Sequence, residues 1–255
     1  MHRPRKRFGQ NFLTDIPTID SLIKAIAPAS TDHMLEIGPG QAALTKPLLN
    51  IIPTLEILEL DRDLIKQLQQ LQVAYPQLVI HQGDALKFDF TTKEQARRIV
   101  GNLPYNISTP LIFHLLAHTD HIKDMHFMLQ NEVVNRLCAN VGERNYGRLS
   151  IMVQSRCTSL KLLEISADKF SPAPKVTSGF VRLTPLSEPL VPQGLSDVFA
   201  KVVREAFSQP RKTIANNLKN LLEIKQLSEL QINPKDRPQN ISITEFVKLA
   251  EYLIE

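Results

Sequence analysis

Apolar and polar residues alternate along residues 19–184 in a pattern that predicts strands followed by helices. Short runs rich in Leu, Ile and Val predict buried strands, and the amphipathic stretches between them have helical spacing. The predicted strands cover residues 34–37, 55–59, 78–81 and 124–129, with a further strand that includes Ile99 and Val100. The predicted helices cover residues 42–49, 64–71, 110–116 and 132–139. This β-α-β-α order predicts an α/β fold with a parallel, doubly wound sheet.

The pattern changes after residue 184. Prolines at positions 185, 189 and 192 indicate a linker. The residues beyond it have helical periodicity over 197–207, 211–222 and 243–254. The sequence therefore predicts three parts, namely an α/β domain over residues 1–184, a linker over 185–195 and a small helical domain over 196–255.

Glycine or polar residues stand at the carboxyl ends of four predicted strands. They are Gly38 and Gly40 after the first strand, Glu59 at the end of the second, Asp84 after the third and Asn102 after the fourth. In a doubly wound sheet the ligand binds beyond the carboxyl ends of the strands. We therefore expect these residues to lie together around one ligand.

The first three strand ends have the chemistry of a cofactor site. Glycines let the backbone approach a ligand closely, but their spacing differs from the dinucleotide motif Gly-x-Gly-x-x-Gly, which disfavours a pyrophosphate site. Glu36 ahead of the glycines suits a cationic or amino-acid-bearing ligand. Glu59 follows 23 positions later, about the spacing at which an acid binds ribose hydroxyls. With Asp84 placed to accept from an adenine amino group, the ligand that combines these features is S-adenosylmethionine.

Each acid also has a purely structural interpretation. Glu59 is consistent with a surface acid, Asp61 and Asp63 are alternative partners for the ribose, and Asp84 is consistent with a turn residue after Gly83. The combination at successive strand ends favours the cofactor site over these separate interpretations.

The tetrapeptide Asn102-Leu103-Pro104-Tyr105 suits a flat ring that carries an amino group. The Asn102 side-chain oxygen and the Leu103 carbonyl can accept the two hydrogens of an adenine N6 amine, while Tyr105 stacks on the ring. Pro104 restricts Leu103 to extended geometry. An ordinary turn after a strand is the alternative interpretation.

Composition narrows the class of protein. Of the 255 residues 43% are hydrophobic and 22% charged, as in globular proteins, and no apolar run is long enough to cross a bilayer. Two cysteines provide neither a disulfide framework nor a cysteine metal site, so we expect a cytoplasmic protein without a metal. The net charge of +4 is modest, but basic residues cluster in a way that suits phosphate contact. The clusters are Arg3, Arg5, Lys6 and Arg7, and Lys201, Arg204, Arg211, Lys212 and Lys219.

Several ordered motifs over nearly the whole chain resemble one family, the small-subunit ribosomal RNA adenine dimethyltransferases of the kasugamycin-sensitivity group. The motifs are Arg7–Leu13, Glu36–Thr45, Ile57–Asp61, Gly83–Ala85, Asn102–Tyr105, Gln130–Arg136, Phe170–Val176, Phe207–Thr213 and Arg237–Ile241. The resemblance implies a Rossmann-like class I methyltransferase domain with a small C-terminal helical domain. It also implies N6,N6-dimethylation of two adjacent adenines near the 3′ end of 16S rRNA, within the immature 30S particle. Nothing in the sequence demands an oligomer, so we expect a monomer.

The resemblance further implies roles for individual residues. Cofactor contacts fall to Asn11, Leu13, Gly38, Glu59, Asp84 and Asn102, with Gln10 nearby. Catalytic contacts to the target fall to Asn102, Leu103, Pro104, Tyr105 and Phe170, the two aromatic rings enclosing the base. Ala42 replaces a glycine of the broader methyltransferase pattern, as is common in this family. Pro210 departs from the expected polar or basic residue and leaves the RNA contacts of the C-terminal part open.

Three other functions remain as alternatives. A related large-subunit rRNA methyltransferase that confers macrolide resistance is disfavoured by the motifs Phe8–Leu13 and Arg237–Ile241. An assembly or RNA-binding factor that retains the fold without the chemistry is disfavoured by the intact Asn102–Tyr105, Glu59 and Asp84. A DNA adenine methyltransferase is disfavoured because no DNA-reading domain is evident.

Overall fold

The computed structural model describes residues 11–91 and 95–254 and contains two compact units. The first unit runs to Val134 and resumes over Leu160–Pro185, and the second comprises Asn135–Ser159 and the chain from Leu186 onwards. These boundaries differ from the predicted division, because the second unit includes residues 135–159 and most of the predicted linker.

The described strands form one seven-stranded and one two-stranded sheet. In chain order they are β1 (Phe12–Leu13), β2 (Met34–Ile37), β3 (Leu55–Glu59), β4 (Leu78–Gln82), β5 (Arg97–Asn102), β6 (Ile122–Gln130), β7 (Cys157–Ile165), β8 (Phe170–Ser171) and β9 (Ser178–Pro185). The large sheet has the order β4-β3-β2-β5-β6-β9-β7, and β1 pairs with β8 in the small one. In the large sheet the strands from β4 to β6 in this order are parallel, which confirms the predicted α/β fold. Strand β9 runs antiparallel to β6. An antiparallel strand beside a parallel set is common in large sheets.

The helices of the described residues begin and end close to most predicted positions. They are α1 (Ile16–Ile26), α2 (Thr45–Leu49), α3 (Arg62–Ala74), α4 (Ser108–Leu116), α5 (Asn131–Leu137), α6 (Arg148–Gln154), α7 (Ser196–Ala206), α8 (Ile214–Leu218), α9 (Ile224–Glu229) and α10 (Ile243–Tyr252). None of these helices has both the length and the apolar character needed to cross a bilayer.

Two predicted helices are shorter in the structure. The helix predicted over 42–49 begins only at Thr45, because Ala42 has a left-handed φ of 65° within the preceding turn. The helix predicted over 211–222 is reduced to α8, since Pro210 lies in a turn and Thr213 caps the helix by accepting a hydrogen bond from the Asn216 N–H.

The large sheet aligns the strand ends that carry the predicted site. Every residue of β2 and β3 is buried, as expected for strands covered on both faces. Ile37 pairs with Leu58, Glu59 with Gln82 and Asn102 with Met128. The carboxyl ends of neighbouring strands therefore lie side by side at one edge of the sheet.

A buried ion network holds the opposite edge of this sheet. Arg98 is 7% exposed and donates to the carboxylates of Asp32 and Asp124, and also to the carbonyls of Ile26 and Ala27 at the end of α1. Burial opposes ionisation of Asp32, but hydrogen bonds from the Ala29 N–H, Arg98 and Lys123 outweigh it and lower the Asp32 pKa to about 2. The network fixes the first residues of the sheet.

The second unit has its own apolar core. Tyr146 and Ile151 belong to this core although they precede the predicted helical domain, and Val191 and Leu195 belong to it although they lie in the predicted linker. The prolines at 185, 189 and 192 therefore mark a turn-rich segment with apolar side chains that pack, rather than a free connection.

Candidate cofactor and target-base site

A cavity of about 1150 Å³, counted with the space open to solvent, lies at the carboxyl ends of β2 to β5 in the first unit. Nine of the ten predicted site residues line it, from both the predicted cofactor half and the predicted target half. They are Asn11, Leu13, Gly38, Glu59, Asp84, Asn102, Leu103, Pro104 and Tyr105. The tenth, Phe170, is not among the lining residues.

The glycine turn after β2 lines the cavity. Gly38 and Gly40 have positive φ angles of 68° and 56°, which favour glycine, and the Gly38 N–H donates to the Leu58 carbonyl at 2.9 Å. A Cβ atom at Gly40 would stand 3.0 Å from the ring of Phe12. The turn therefore brings bare backbone against the cavity beneath an aromatic side chain of β1.

Glu59 is held by three backbone N–H groups at the end of β3. Its carboxylate accepts from Gly40, Leu60 and Asp61, at 3.3, 2.9 and 2.9 Å. Burial raises the Glu59 pKa, although these hydrogen bonds oppose the shift. The carboxylate is thus fixed by the backbone that follows β3 and by one N–H group of the glycine turn.

Glu36 contributes a second buried carboxyl to the same cavity. It is 2% exposed, and its Oε2 accepts from the Thr45 hydroxyl at 2.6 Å. Burial raises the Glu36 pKa to about 7, with a further rise from the nearby Glu59 charge, while the Thr45 hydrogen bond opposes the shift. Glu36 therefore changes charge near neutral pH.

The remaining cavity acids occupy different local structures. Asp84 is half-buried after β4, and its Oδ1 accepts from the Leu86 N–H at 2.9 Å. Asp61, one of the alternative acids, is the N-cap of α3 and accepts from the Asp63 N–H. The turn interpretation of Asp84 therefore describes a real contact, Asp61 caps a helix, and both residues still line the cavity.

Asn102 ends β5 within reach of the N-terminal strand. Its Nδ2 donates to the Asn11 carbonyl at 2.9 Å, and the next residue, Leu103, donates its N–H to the Met128 carbonyl at 3.2 Å. Glycine at position 101 allows β5 to lie close to the end of β2, since a Cβ there would stand only 2.5 Å from the Ile37 carbonyl oxygen. The polar turn is thereby packed directly against the end of β2.

The two predicted stacking aromatics differ in exposure. Tyr105 is half-buried in the cavity wall, and its hydroxyl shares a 2.8 Å hydrogen bond with the fully buried Ser178 Oγ. Phe170 is only 4% exposed, and within the β1–β8 ladder it pairs with Leu13. The structure therefore presents the Tyr105 ring to the cavity and keeps Phe170 in the apolar core.

A comparison with known families assigns this chain to a class of enzyme. The family model described as ribosomal RNA adenine dimethylase matches residues 1–255. The chain belongs to this family. It is therefore a methyltransferase that depends on S-adenosylmethionine.

Curated relatives match along the whole chain. Proteins named ribosomal RNA small subunit methyltransferase A from Chromohalobacter salexigens and Pseudomonas aeruginosa are 50% and 49% identical to it. Each alignment covers 100% of this chain, and 93% and 96% of the respective relative.

Solved structures of related enzymes share the fold. A dimethyladenosine transferase from Plasmodium falciparum has a TM-score of 0.81 at 29% identity and covers 93% of this chain and 95% of its own. The 23S rRNA methyltransferase ErmE has a TM-score of 0.76 at 22% identity, with coverage of 96% and 100%. The second likeness concerns the fold alone.

The lining residues of the cavity fit the cofactor that the family uses. Glycine at position 40 lets the Phe12 ring lie against the turn, since a Cβ there would stand 3.0 Å from that ring. The carboxylates of Glu59 and Asp84 are acceptors for hydroxyl and amino groups. The buried carboxyl of Glu36 suits a cationic ligand. Among the described residues, no group of three or more His, Cys, Asp or Glu side chains is arranged to hold a metal ion.

Sequence reasoning missed part of the cavity wall. Phe12, Leu60, Ala85 and Asn106 also line it, and each is a direct neighbour in the chain of a predicted site residue. Adjacency in the chain to a predicted site residue is thus the available signal. Gln10 and the basic residues Arg3, Arg5, Lys6 and Arg7 lie outside the described residues.

Proposed function

We propose that this protein transfers methyl groups from S-adenosylmethionine to N6 of two adjacent adenines near the 3′ end of 16S rRNA, giving N6,N6-dimethyladenine at both. The observation that carries the proposal is that Asn102 and Tyr105 share one cavity with Gly38, Glu59 and Asp84. This shared cavity supports a cofactor site next to an acceptor site for an amino-bearing ring, in a chain that belongs to the adenine dimethylase family.

The cofactor is held by the glycine turn and the strand-end acids. Gly38 lies against it, Glu59 binds the ribose hydroxyls, and Asp84 accepts from the adenine amino group. The side chains of Asn11 and Leu13 line the methionine end, next to Asn102. When bound, S-adenosylmethionine supplies an electrophilic methyl group on its sulfonium centre.

The residues of the turn prepare the target amine to act as a nucleophile. Adenine N6 is flattened by delocalisation into the ring, so its lone pair is poorly available. Asn102 Oδ1 and the Leu103 carbonyl accept its two hydrogens, which favours a pyramidal nitrogen. Pro104 restricts the Leu103 backbone, and the hydrogen bond from the Leu103 N–H to Met128 anchors it. The gain comes from proximity and orientation.

The target adenine leaves its stack to enter the cavity, and aromatic stacking offsets that cost. Tyr105 provides the first stacking face, worth roughly 1–3 kcal/mol per base, with its hydroxyl held by Ser178. Phe170 provides the second face. Because its side chain is 4% exposed, stacking by Phe170 requires exposure of the ring when RNA binds.

The substrate is small-subunit RNA in the immature 30S particle, bound by one copy of this chain in the cytoplasm. Relatives about 50% identical over the whole chain carry the name of a small-subunit methyltransferase, which supports this substrate over the large subunit. Exposed basic residues of the second unit suit contact with RNA phosphates. They are Lys201, Arg204, Arg211, Lys212 and Lys219.

Identification of the modified nucleosides tests the substrate. The protein and labelled cofactor are incubated separately with immature small subunits, large-subunit RNA and duplex DNA, and each product is digested to nucleosides. We expect labelled N6,N6-dimethyladenosine only from the small subunit. If the label appeared in large-subunit RNA, that RNA would be the substrate in place of the small subunit. Absence of label from all three would refute the methyltransferase activity.

Replacement of Asn102 tests the acceptor site. Asn102→Ala removes the side-chain acceptor, so we expect turnover to fall about 100-fold or more. Binding of the cofactor, measured by calorimetry, is expected to change far less. Turnover equal to that of the unmodified protein would remove Asn102 from the mechanism.

A further inference from the structure

We propose that the main-chain carbonyl of Asn11 is a positioning group, which turns the Asn102 amide so that its oxygen faces the target amine. The inference rests on the proposed function and deepens it. It assigns to the N-terminal strand a role in the target half of the cavity, in addition to its contact with the cofactor half.

The contact itself fixes the orientation of the amide. A carbonyl oxygen can only accept a hydrogen bond, so the group of Asn102 that lies 2.9 Å from the Asn11 carbonyl is the NH₂. Oδ1 must then point away from Asn11. No donor among the described residues is paired with Oδ1, and Asn102 is half-buried in the cavity wall. Oδ1 therefore remains available to an incoming N–H.

The Asn11 carbonyl is itself held in place by the strand that follows it. Phe12 pairs with Ser171 and Leu13 with Phe170, and the Thr14 N–H donates to the Lys169 carbonyl at 3.0 Å. The Phe12 ring packs over Gly40 and is 7% exposed. The strand is thus tied both to β8 and to the glycine turn.

Without this partner the amide would have no reason to prefer the reactive orientation. A half-turn of the Asn102 side chain exchanges NH₂ and Oδ1, and would aim two donors at an amine that itself needs acceptors. The hydrogen bond to Asn11 therefore selects the orientation in advance, which is the form of preorganisation that a methyl transfer by proximity requires.

The variant Asn102→Asp separates this role from that of a simple acceptor. An ionised Asp keeps two acceptor oxygens but has no donor for the Asn11 carbonyl, so repulsion between oxygens turns it away. A protonated Asp regains a donor: its O–H bonds to Asn11 and its carbonyl oxygen faces the amine. Turnover of the variant, relative to unmodified protein, is therefore expected to rise as the pH falls.

The experiment measures single-turnover rates on immature small subunits at saturating cofactor between pH 6 and pH 8. The other ionisable groups that line the cavity are Glu36, Glu59, Asp61, Asp84 and Tyr105. The variant and the unmodified protein share these groups, so the ratio of their rates isolates the effect of the new carboxyl. At pH 8 we expect the rate of Asn102→Asp, divided by that of the unmodified protein, to be near the value for Asn102→Ala. This ratio is expected to increase by up to about tenfold for each unit that the pH falls.

A ratio that is flat, or that increases with pH, would overturn the inference, because an ionised carboxylate is the stronger acceptor and would then suffice. Asn50→Asp introduces the same charge at an exposed position that does not line the cavity, and its pH profile is expected to follow that of the unmodified protein. If the unmodified protein methylates no adenine, the proposed function fails instead, which distinguishes the two failures.

A second measurement does not depend on activity. In protein labelled with ¹⁵N-asparagine, the Asn102 side-chain NH₂ is assigned by its loss in Asn102→Asp. We expect slow hydrogen exchange of the proton bonded to Asn11, and accelerated exchange in Phe12→Ala, where the strand is loosened. Exchange as fast as that of an exposed asparagine in the unmodified protein would contradict the positioning contact.

Discussion

Replacement of Glu36 by glutamine is expected to stabilise the protein at pH 8 and to have a much smaller effect at pH 5. Glu36 is 2% exposed, and burial raises its pKa to about 7 from an ordinary value of 4.5. The glutamine side chain would keep an acceptor for the Thr45 hydroxyl, which now donates to Oε2 at 2.6 Å. The variant therefore removes the titration and retains the hydrogen bond.

The sign of the effect follows from proton binding. Between pH 4.5 and about 7 the folded protein holds a proton on Glu36 that the unfolded chain has released, so the stability contributed by this group is lost as the pH rises. A pKa difference of this size corresponds to about 3 kcal/mol, an upper limit because Glu59 titrates nearby. The gain on substitution should thus approach that value at pH 8.

Urea denaturation of the cofactor-free protein at both pH values measures the difference. Asp20→Asn serves as the matched control, since Asp20 is an exposed acid on α1. Its effect is expected to be the same at pH 5 and pH 8. An equal effect of Glu36→Gln at the two pH values would refute the reasoning, and titration of the side-chain carboxyl by ¹³C NMR would locate the pKa directly.

Three further substitutions probe the sheet and the site. Gly101→Ala places a methyl group 2.5 Å from the Ile37 carbonyl oxygen, so thermal unfolding should show that the free energy of unfolding falls by about 1–3 kcal/mol. An unchanged melting temperature would contradict the close packing. Arg98→Met removes the partner that the buried Asp32 and Asp124 carboxylates share, although Asp32 keeps Lys123, so urea denaturation should show that the free energy of unfolding falls by about 3–5 kcal/mol. An unchanged free energy of unfolding would contradict the network. Glu59→Ala should raise the cofactor dissociation constant by about 10-fold or more in calorimetry, and an unaltered constant would move the ribose role to another acid.

The position of the cavity could be predicted from the sequence because it depends on a rule of topology. Once strands are recognised as parallel, their carboxyl ends meet at one edge, and the residues that end them become neighbours. Glu59 and Asn102 are 43 positions apart in the chain, yet both line the cavity. The prediction required only local hydrophobic runs and the identity of the residue that follows each one.

The small β1–β8 sheet could not be predicted in this way. Each strand has two residues, too few for a periodic pattern, and the hydrogen-bonded partners Thr14 and Lys169 lie 155 positions apart. The membership of residues 135–159 in the second unit was missed for a similar reason. Periodicity predicts that a segment is helical, whereas burial against Tyr146 or Ile151 depends on which distant residues meet it.

Phe170 shows how a motif can identify a residue and still leave its environment open. Its position in the motif predicts an aromatic face for the target base, but pairing with Leu13 places its side chain in the core of the first unit. Leu13 belongs to β1, and the residue directly before β1 is Asn11, whose carbonyl accepts the hydrogen bond from Asn102. If Phe170 became exposed by separation of β8 from β1, the residues that orient the acceptor amide would be disturbed. They would stay in place if the β8 backbone remained paired and only the Phe170 ring moved. Stacking by Phe170 thus requires a rotation of its side chain rather than an opening of the ladder.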